Sequence, residues 1–145
     1  MSMFSAMEIS GSAMGAERQR AEVVATNMAN AETTRTPSGG PFRRKEVVFS
    51  GVSNSPFQLM LAGFRRLTGR SAVHVSKVVN DPSPPVMRYE PGHPDADKSG
   101  YVAYPAINPI EEMVDLMGAA RAYQLNASAV TATKQMIQGA MDILK

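Results

Sequence analysis

In this 145-residue chain the stretch "PGHPDADKSGYVAYPAINPIEEM" holds the residues best spaced to do chemistry. Asp95-Ala96-Asp97-Lys98-Ser99-Gly100 places oxygen donors at alternate positions and then a glycine, as in the first half of an EF-hand calcium loop. That loop closes with a bidentate Glu at its twelfth position, which here is Ala106, and its ninth position is Ala103. Pro94, Pro105 and Pro109 also preclude the flanking helix pair. Without the carboxylate that supplies two ligands, Asp95, Asp97 and Gly100 predict a turn running into a strand, because Asp, Ser and Gly satisfy turn backbones locally.

The other candidates for chemistry have equally plain readings. His74 sits among Val73, Val75 and Val78, on the predicted exposed face of a strand, and His93 lies in the proline-flanked turn "PGHP". Two distant histidines and no cysteine leave no metal-ligand spacing. No Gly-x-Ser-x-Gly elbow occurs, and "GFRRLTGR" lacks the Gly-Lys-Ser/Thr of a phosphate loop. The residues therefore predict no catalytic residue, no metal and no cofactor.

Charge is uneven. Residues 1–80 hold ten Lys/Arg against five Asp/Glu, and residues 81–145 hold five against eight. Arg43-Arg44-Lys45 and the trio Arg65, Arg66 and Arg70 make Arg35–Lys77 a basic stretch that could meet nucleic acid or an acidic partner. With no aromatic stacking series and no helix-turn-helix pattern beside it, a solvated face is the simpler expectation, and a basic adaptor stands as the alternative function. The first twenty residues lack a basic start followed by an apolar run, so export, if any, is expected to need no cleaved signal. No run approaches the roughly 20 apolar residues of a membrane span, so no membrane insertion is expected.

What must position these residues is a pair of helical ends around a β-rich middle. Phe4, Met7, Gly11, Met14, Arg18, Ala21, Ala25 and Met28 alternate spacings of three and four, a heptad stripe. Several serines, with Gly11 and Gly15 each costing about 1 kcal/mol against Ala, make this helix weak until something packs on it. The C-terminal helix is announced more strongly. Asn108 caps it, Pro109 suits its first position, and Glu111 falls where a capping-box carboxylate reaches back. Met113, Leu116, Ala120, Tyr123, Ala127, Val130, Lys134, Ile137, Met141 and Leu144 then continue the alternation.

At 1.5 Å per residue these helices would be roughly 40 and 50 Å long, too long for a globule of this size. The expected fold is α+β: two long terminal helices pairing as a coiled coil (residues 1–34 and 107–145), with a small β-rich lobe over 35–106. Strands are expected at Glu46–Phe49, Ser71–Val79, Val86–Tyr89 and Tyr101–Tyr104, and a short helix near 56–63. Small residues on the stripes allow close backbone approach and methionines supply adaptable contact.

The stretch "SPPVMRYEPGHPDADKSGYVAYPAINPIEEMVDLMGAARAYQLNASAVTATKQM" resembles the C-terminal half of the FlgC family of flagellar basal-body rod proteins. The resemblance is carried by the Tyr-x-Pro-Gly-His-Pro-x-Ala-Asp turn at Tyr89–Asp97, Gly-Tyr-Val at Gly100–Val102, the Pro-x-x-Asn opening at Pro105–Asn108, and Arg-x-Tyr-Gln-x-Asn at Arg121–Asn126. Ile9-Ser10-Gly11-Ser12-Ala13, Gln19-Arg20 and Ala25–Ala31, with Asn27 and Asn30 in Asn-x-x-Asn-Ala, are similar to the terminal signature of rod and hook proteins. "GPFRRKEVVF" looks like the family's lead-in to its first strand, whereas "VSNSPFQLMLAGFRRLTGR" replaces what is often a Gly-rich spacer. The resemblance implies a non-enzymatic subunit of the proximal rod that transmits torque across the periplasm. It further implies uncleaved export through the flagellar type III apparatus. The implied partners are copies of itself, other rod proteins and the hook-basal-body junction protein. The helix stripes, together with Asn27 and Asn30, become the expected assembly surface.

Overall fold

The computed structural model describes residues 3–51 and 72–143; the expected short helix near 56–63 and Leu144 lie outside the described residues. Helix α1 spans Met3–Ala29, strands β1 to β4 span Lys45–Gly51, Val73–Asn80, Val86–Tyr89 and Tyr101–Tyr104, and helix α2 spans Pro109–Ile143. Among the described residues β1 pairs with β2, and β3 with β4, in two two-stranded sheets. Two long terminal helices and the strand pairs between them in sequence make an α+β chain, as expected.

The start of α2 shows why the sequence signal was strong. The Asn108 side-chain oxygen accepts from the Ile110 N–H at 3.1 Å, and its backbone carbonyl takes the first helical bond from Glu112 N–H, also at 3.1 Å. Glu111 deviates from a capping box: its carboxylate accepts from the Asn108 side-chain amide at 3.1 Å. At the other junction, Asn30 ends α1 by donating its side-chain amide to the Thr26 carbonyl at 2.8 Å.

The contacts divide the chain into two compact units. Among the described residues one comprises 3–19, 49–51, 72–76 and 120–143. In it Ala16 and Thr133 are buried, and Ser12 accepts a bond from Val73 N–H at 3.1 Å, tying the start of β2 to α1.

The other unit comprises residues 20–48 and 77–119 and holds Val24, Asn27, Val102, Tyr104, Glu112 and Ala119 as buried side chains. Its β3–β4 ribbon is antiparallel, with Val86 opposite Tyr104 and Tyr89 opposite Tyr101. The four β3 residues are exposed, while Val102 and Tyr104 of β4 face the core. The connecting turn is the stretch that resembled a calcium loop. Asp97 accepts from the N–H groups of Ser99 and Tyr101 at 2.8 and 2.9 Å, and its own N–H donates to the Tyr101 carbonyl. Gly100 has φ of +81°, and an added Cβ would lie 2.8 Å from the Tyr89 ring, so only glycine fits there.

Candidate functional site

Asn27 and Glu112, each 1% exposed, are the deepest polar side chains among the described residues. A buried amide and a buried carboxylate are tolerated only when their hydrogen bonds are made, and here they are made to each other and to the strand between them. The Asn27 amide nitrogen donates to the Glu112 carboxylate at 2.9 Å and to the Lys45 carbonyl at 2.9 Å; its oxygen accepts from Lys45 N–H at 2.9 Å. Asn27 thus satisfies both backbone groups of the first residue of β1, as a neighbouring strand would. Arg44 completes the hub by donating its Nε–H to Glu112, with Glu46 2.6 Å and Asp115 3.6 Å from its terminal nitrogens. The hydrogen bond to Glu112 is the main reason that the Arg44 pKa lies above its usual value, so this cation is permanent. Arg20 adds a further link to Asp115 at 3.2 Å. Asn27 meeting Glu112 while Arg20 reaches Asp115 sets the helices antiparallel within this unit.

This hub sits on a row of positions one residue before the expected stripes. On α2, Glu112, Ala119 and Thr133 are buried and Asn126 is half-buried, seven residues apart, and each immediately precedes a stripe residue. On α1, Arg20, Val24 and Asn27 stand in the same relation to Ala21, Ala25 and Met28. The polar groups in these rows are satisfied locally: Asn126 donates to the Ala122 carbonyl at 2.9 Å, and Thr133 to the Ala129 carbonyl at 2.8 Å. The stripe residues lie on the shoulders. Met7, Met14, Ala21, Met28, Leu116, Ala127, Val130 and Ile137 are half-buried, whereas Gly11, Ala25, Met113, Ala120, Tyr123 and Met141 are exposed. A Cβ built at Gly11 would meet nothing within 4 Å. Of the cap and turn residues, Asn108, Pro109, Glu111 and Asp97 are exposed, Asp95 is half-buried and Gly100 is buried.

The two asparagines of the Asn-x-x-Asn signature have different tasks: Asn27 points inward to the hub, while the half-buried Asn30 closes the helix. The sequence marks both asparagines, but it does not mark Glu112 as the partner of Asn27 or Arg44 as the partner of Glu112. Arg44 stands in a basic run and Glu112 beside the capping Glu111, so neither is marked by its neighbours in sequence. A usable signal existed: asparagine is a middling helix former, and a polar residue amid small and apolar ones at helical spacing asks for a buried partner. The basic stretch is partly committed. Arg44 belongs to the hub and Arg35 stands 3.5 Å from Asp95, which also accepts from the Thr34 hydroxyl at 2.7 Å. Among the described residues no group of three acidic, His or Cys side chains could hold a metal ion, and no helix is long and apolar enough to cross a membrane.

The family model for the flagella basal body rod protein matches residues 7–35, and that for the C-terminal part of flagellar basal body rod FlgEFG proteins matches residues 98–143. Over its whole length the chain is 36% identical to the flagellar basal-body rod protein FlgC of Borreliella burgdorferi, covering 99% of that protein. It is 38% identical to that of Bacillus subtilis, with all of both chains covered, and 38% identical to that of Salmonella typhimurium over 94% of each. The chain belongs to the FlgC family of flagellar basal-body rod proteins.

Proposed function

We propose that this chain is a structural subunit of the proximal rod, built into a helical array that carries motor torque, and that it acts as a building part rather than a catalyst. The observation that supports this most is the outward apolar surface of α2. Ile110, Met113, Val114, Met117, Leu125, Met136, Met141 and Ile143 are all exposed, Ile110 to 74% and Ile143 to 86%. Large apolar side chains repeated along a helix mark a surface that is covered in the working state. Covered by neighbours related by a rotation that does not close, it generates a helix of subunits. Gly11 and Ala25 on α1 and Met113, Ala120, Tyr123 and Met141 on α2 are the stripe residues that face outward for this purpose. The neighbours are copies of the chain, other rod proteins and the hook-basal-body junction protein. The route to the rod is uncleaved export through the flagellar type III apparatus, with the weak N-terminal part of α1 ordering on assembly.

Met141→Asp tests this reading. Met141 is 54% exposed, so a charge there leaves the free chain folded. Expression and thermal melting should match the unmodified protein, while swimming is lost and the chain is missing from isolated basal bodies. Ala127→Asp, at a half-buried position, should abolish swimming as well. Normal swimming with Met141→Asp would refute the assembly role of this exposed residue.

A further inference from the structure

The helix pair is lined mostly by side chains that do not by themselves choose an alignment. In the unit that holds Asn27 and Glu112, Val24 and Ala119 are the buried apolar residues of the two helices, with Ala21, Met28 and Leu116 half-buried beside them. So short a row of small or flexible side chains packs nearly as well after a slide of one turn. Against that background the Asn27–Glu112–Arg44 hub stands out. It is buried, every contact in it is directional, and it joins three separate stretches of chain: α1, the start of β1 and the start of α2. Sliding α1 by one turn would bring either Val23 or Val24, or, in the other direction, Asn30 or Ala31 from beyond the helix end at Ala29, to Glu112 in place of Asn27. With valine or alanine there, the carboxylate would lose one of its two donors, and both backbone groups of Lys45 would lose theirs. A single buried polar contact of this kind is the best-attested device for fixing helix register, and it need add nothing to net stability.

We propose that Asn27, with Glu112 and Arg44, is a register pin: it sets the alignment of α1 on α2, and with it the start of β1, while contributing little net stability as a set. Its consequence in the rod is that every copy presents its exposed helix faces in one arrangement. That consequence rests on the rod-subunit reading, whereas the alignment itself is measured on the free chain, so the two fail separately.

The chain contains no cysteine, so spin labels at Ala25→Cys and Met113→Cys, both exposed positions, are unique. With the hub intact, pulsed dipolar spectroscopy on the full chain should give one narrow label-to-label distance. Replacing the pair by apolar residues of similar size, Asn27→Leu with Glu112→Met, should leave the chain folded, with a melting temperature lowered by no more than the loss of the Asn27 bonds to the Lys45 backbone accounts for. The distance distribution should then broaden or split, with a second component displaced by roughly 5 Å, one helical turn. An unchanged narrow distance in the double variant overturns the pin. So does a double variant that no longer folds, because the hub would then be needed for stability rather than alignment. A distribution already broad with the hub intact overturns it as well.

Discussion

Breaking one member of the hub should be far more damaging than replacing it whole. Asn27→Asp makes the point most sharply, because the new side chain has the same shape and retains an oxygen for Lys45 N–H. What it loses is the amide nitrogen, the donor to both the Lys45 carbonyl and the Glu112 carboxylate at 2.9 Å. In its place a second carboxylate faces Glu112 in a site where both residues are 1% exposed. Arg44, half-buried and already shared with Glu46 and Asp115, cannot neutralise both. Leaving a buried charge uncompensated costs about 3–5 kcal/mol, and the orphaned Lys45 carbonyl adds about 1 kcal/mol. For a chain of this size the expected fall in melting temperature is roughly 10 °C or more, read by calorimetry or by the midpoint of urea unfolding. Asn27→Ala removes the same donor without the added charge and should cost about half as much. Asn27→Asp with Glu112→Gln removes the repulsion and restores a donor between the helices, so it should recover most of the loss. A melting temperature for Asn27→Asp within a degree or two of the unmodified chain would refute the structural account of Asn27.

Three further outcomes follow from other parts of the fold. Among the described residues α1 and α2 span 27 and 35, but if the N-terminal part of α1 orders on assembly, as proposed, circular dichroism of the purified chain should show clearly less helix than these two account for; full helicity in a stable monomer would contradict this. Gly100→Ala should cost about 1–3 kcal/mol, from the φ of +81° and the 2.8 Å approach to the Tyr89 ring, and Tyr89→Ala in the same chain should relieve only the steric part; both are read by chemical unfolding. Tyr104 donates to Glu90 at 2.9 Å, and that hydrogen bond raises its pKa above 10.0. The fold therefore favours the neutral phenol, and this contribution is complete below pH 10 and is lost as the pH rises through the folded value. The phenolate absorbance that disappears on Tyr104→Phe should emerge only above pH 10, and Glu90→Ala should bring it back toward that value.

The element pattern was legible because each element is written in local signals. Asn108-Pro109 opens α2 as a cap followed by a proline, and β3 and β4 match the β-type runs Val86–Tyr89 and Tyr101–Tyr104 residue for residue. The Asp95–Gly100 stretch was legible as a turn for the same reason: Asp97 satisfies backbone groups two and four residues onward. The depth order on the helices was not. A search for apolar residues at heptad spacing finds Met113, Ala120 and Ala127, whereas the deepest row holds Glu112, Ala119, Asn126 and Thr133. Periodicity reports the direction of apolar side chains, and it points to the core only when the core is where they go. The link from Asn27 to Glu112 spans 85 residues and that from Arg44 to Glu112 spans 68, and no local pattern encodes either.

That displacement has a physical meaning beyond a shift of one residue. In an ordinary globular domain the large apolar groups lie inside and the polar ones outside. Here the row between the helices contains small residues and satisfied polar groups, while Ile110, Met117, Leu125, Met136 and Ile143 face outward. Such an arrangement gives up much of the hydrophobic stabilisation of the separate chain, at roughly 25 cal/mol per Å² of apolar surface left in water. The surface remains available to whatever covers it, so association gains what the monomer's own folding did not. A directional polar hub suits the inner row of such a chain, because it can align the helices without using the apolar groups that lie exposed. The same separation explains why the two classes of substitution should have different effects. Asn27→Asp acts on the free chain and should be visible in its melting, whereas Met141→Asp acts on the assembled state and should be visible only in the rod.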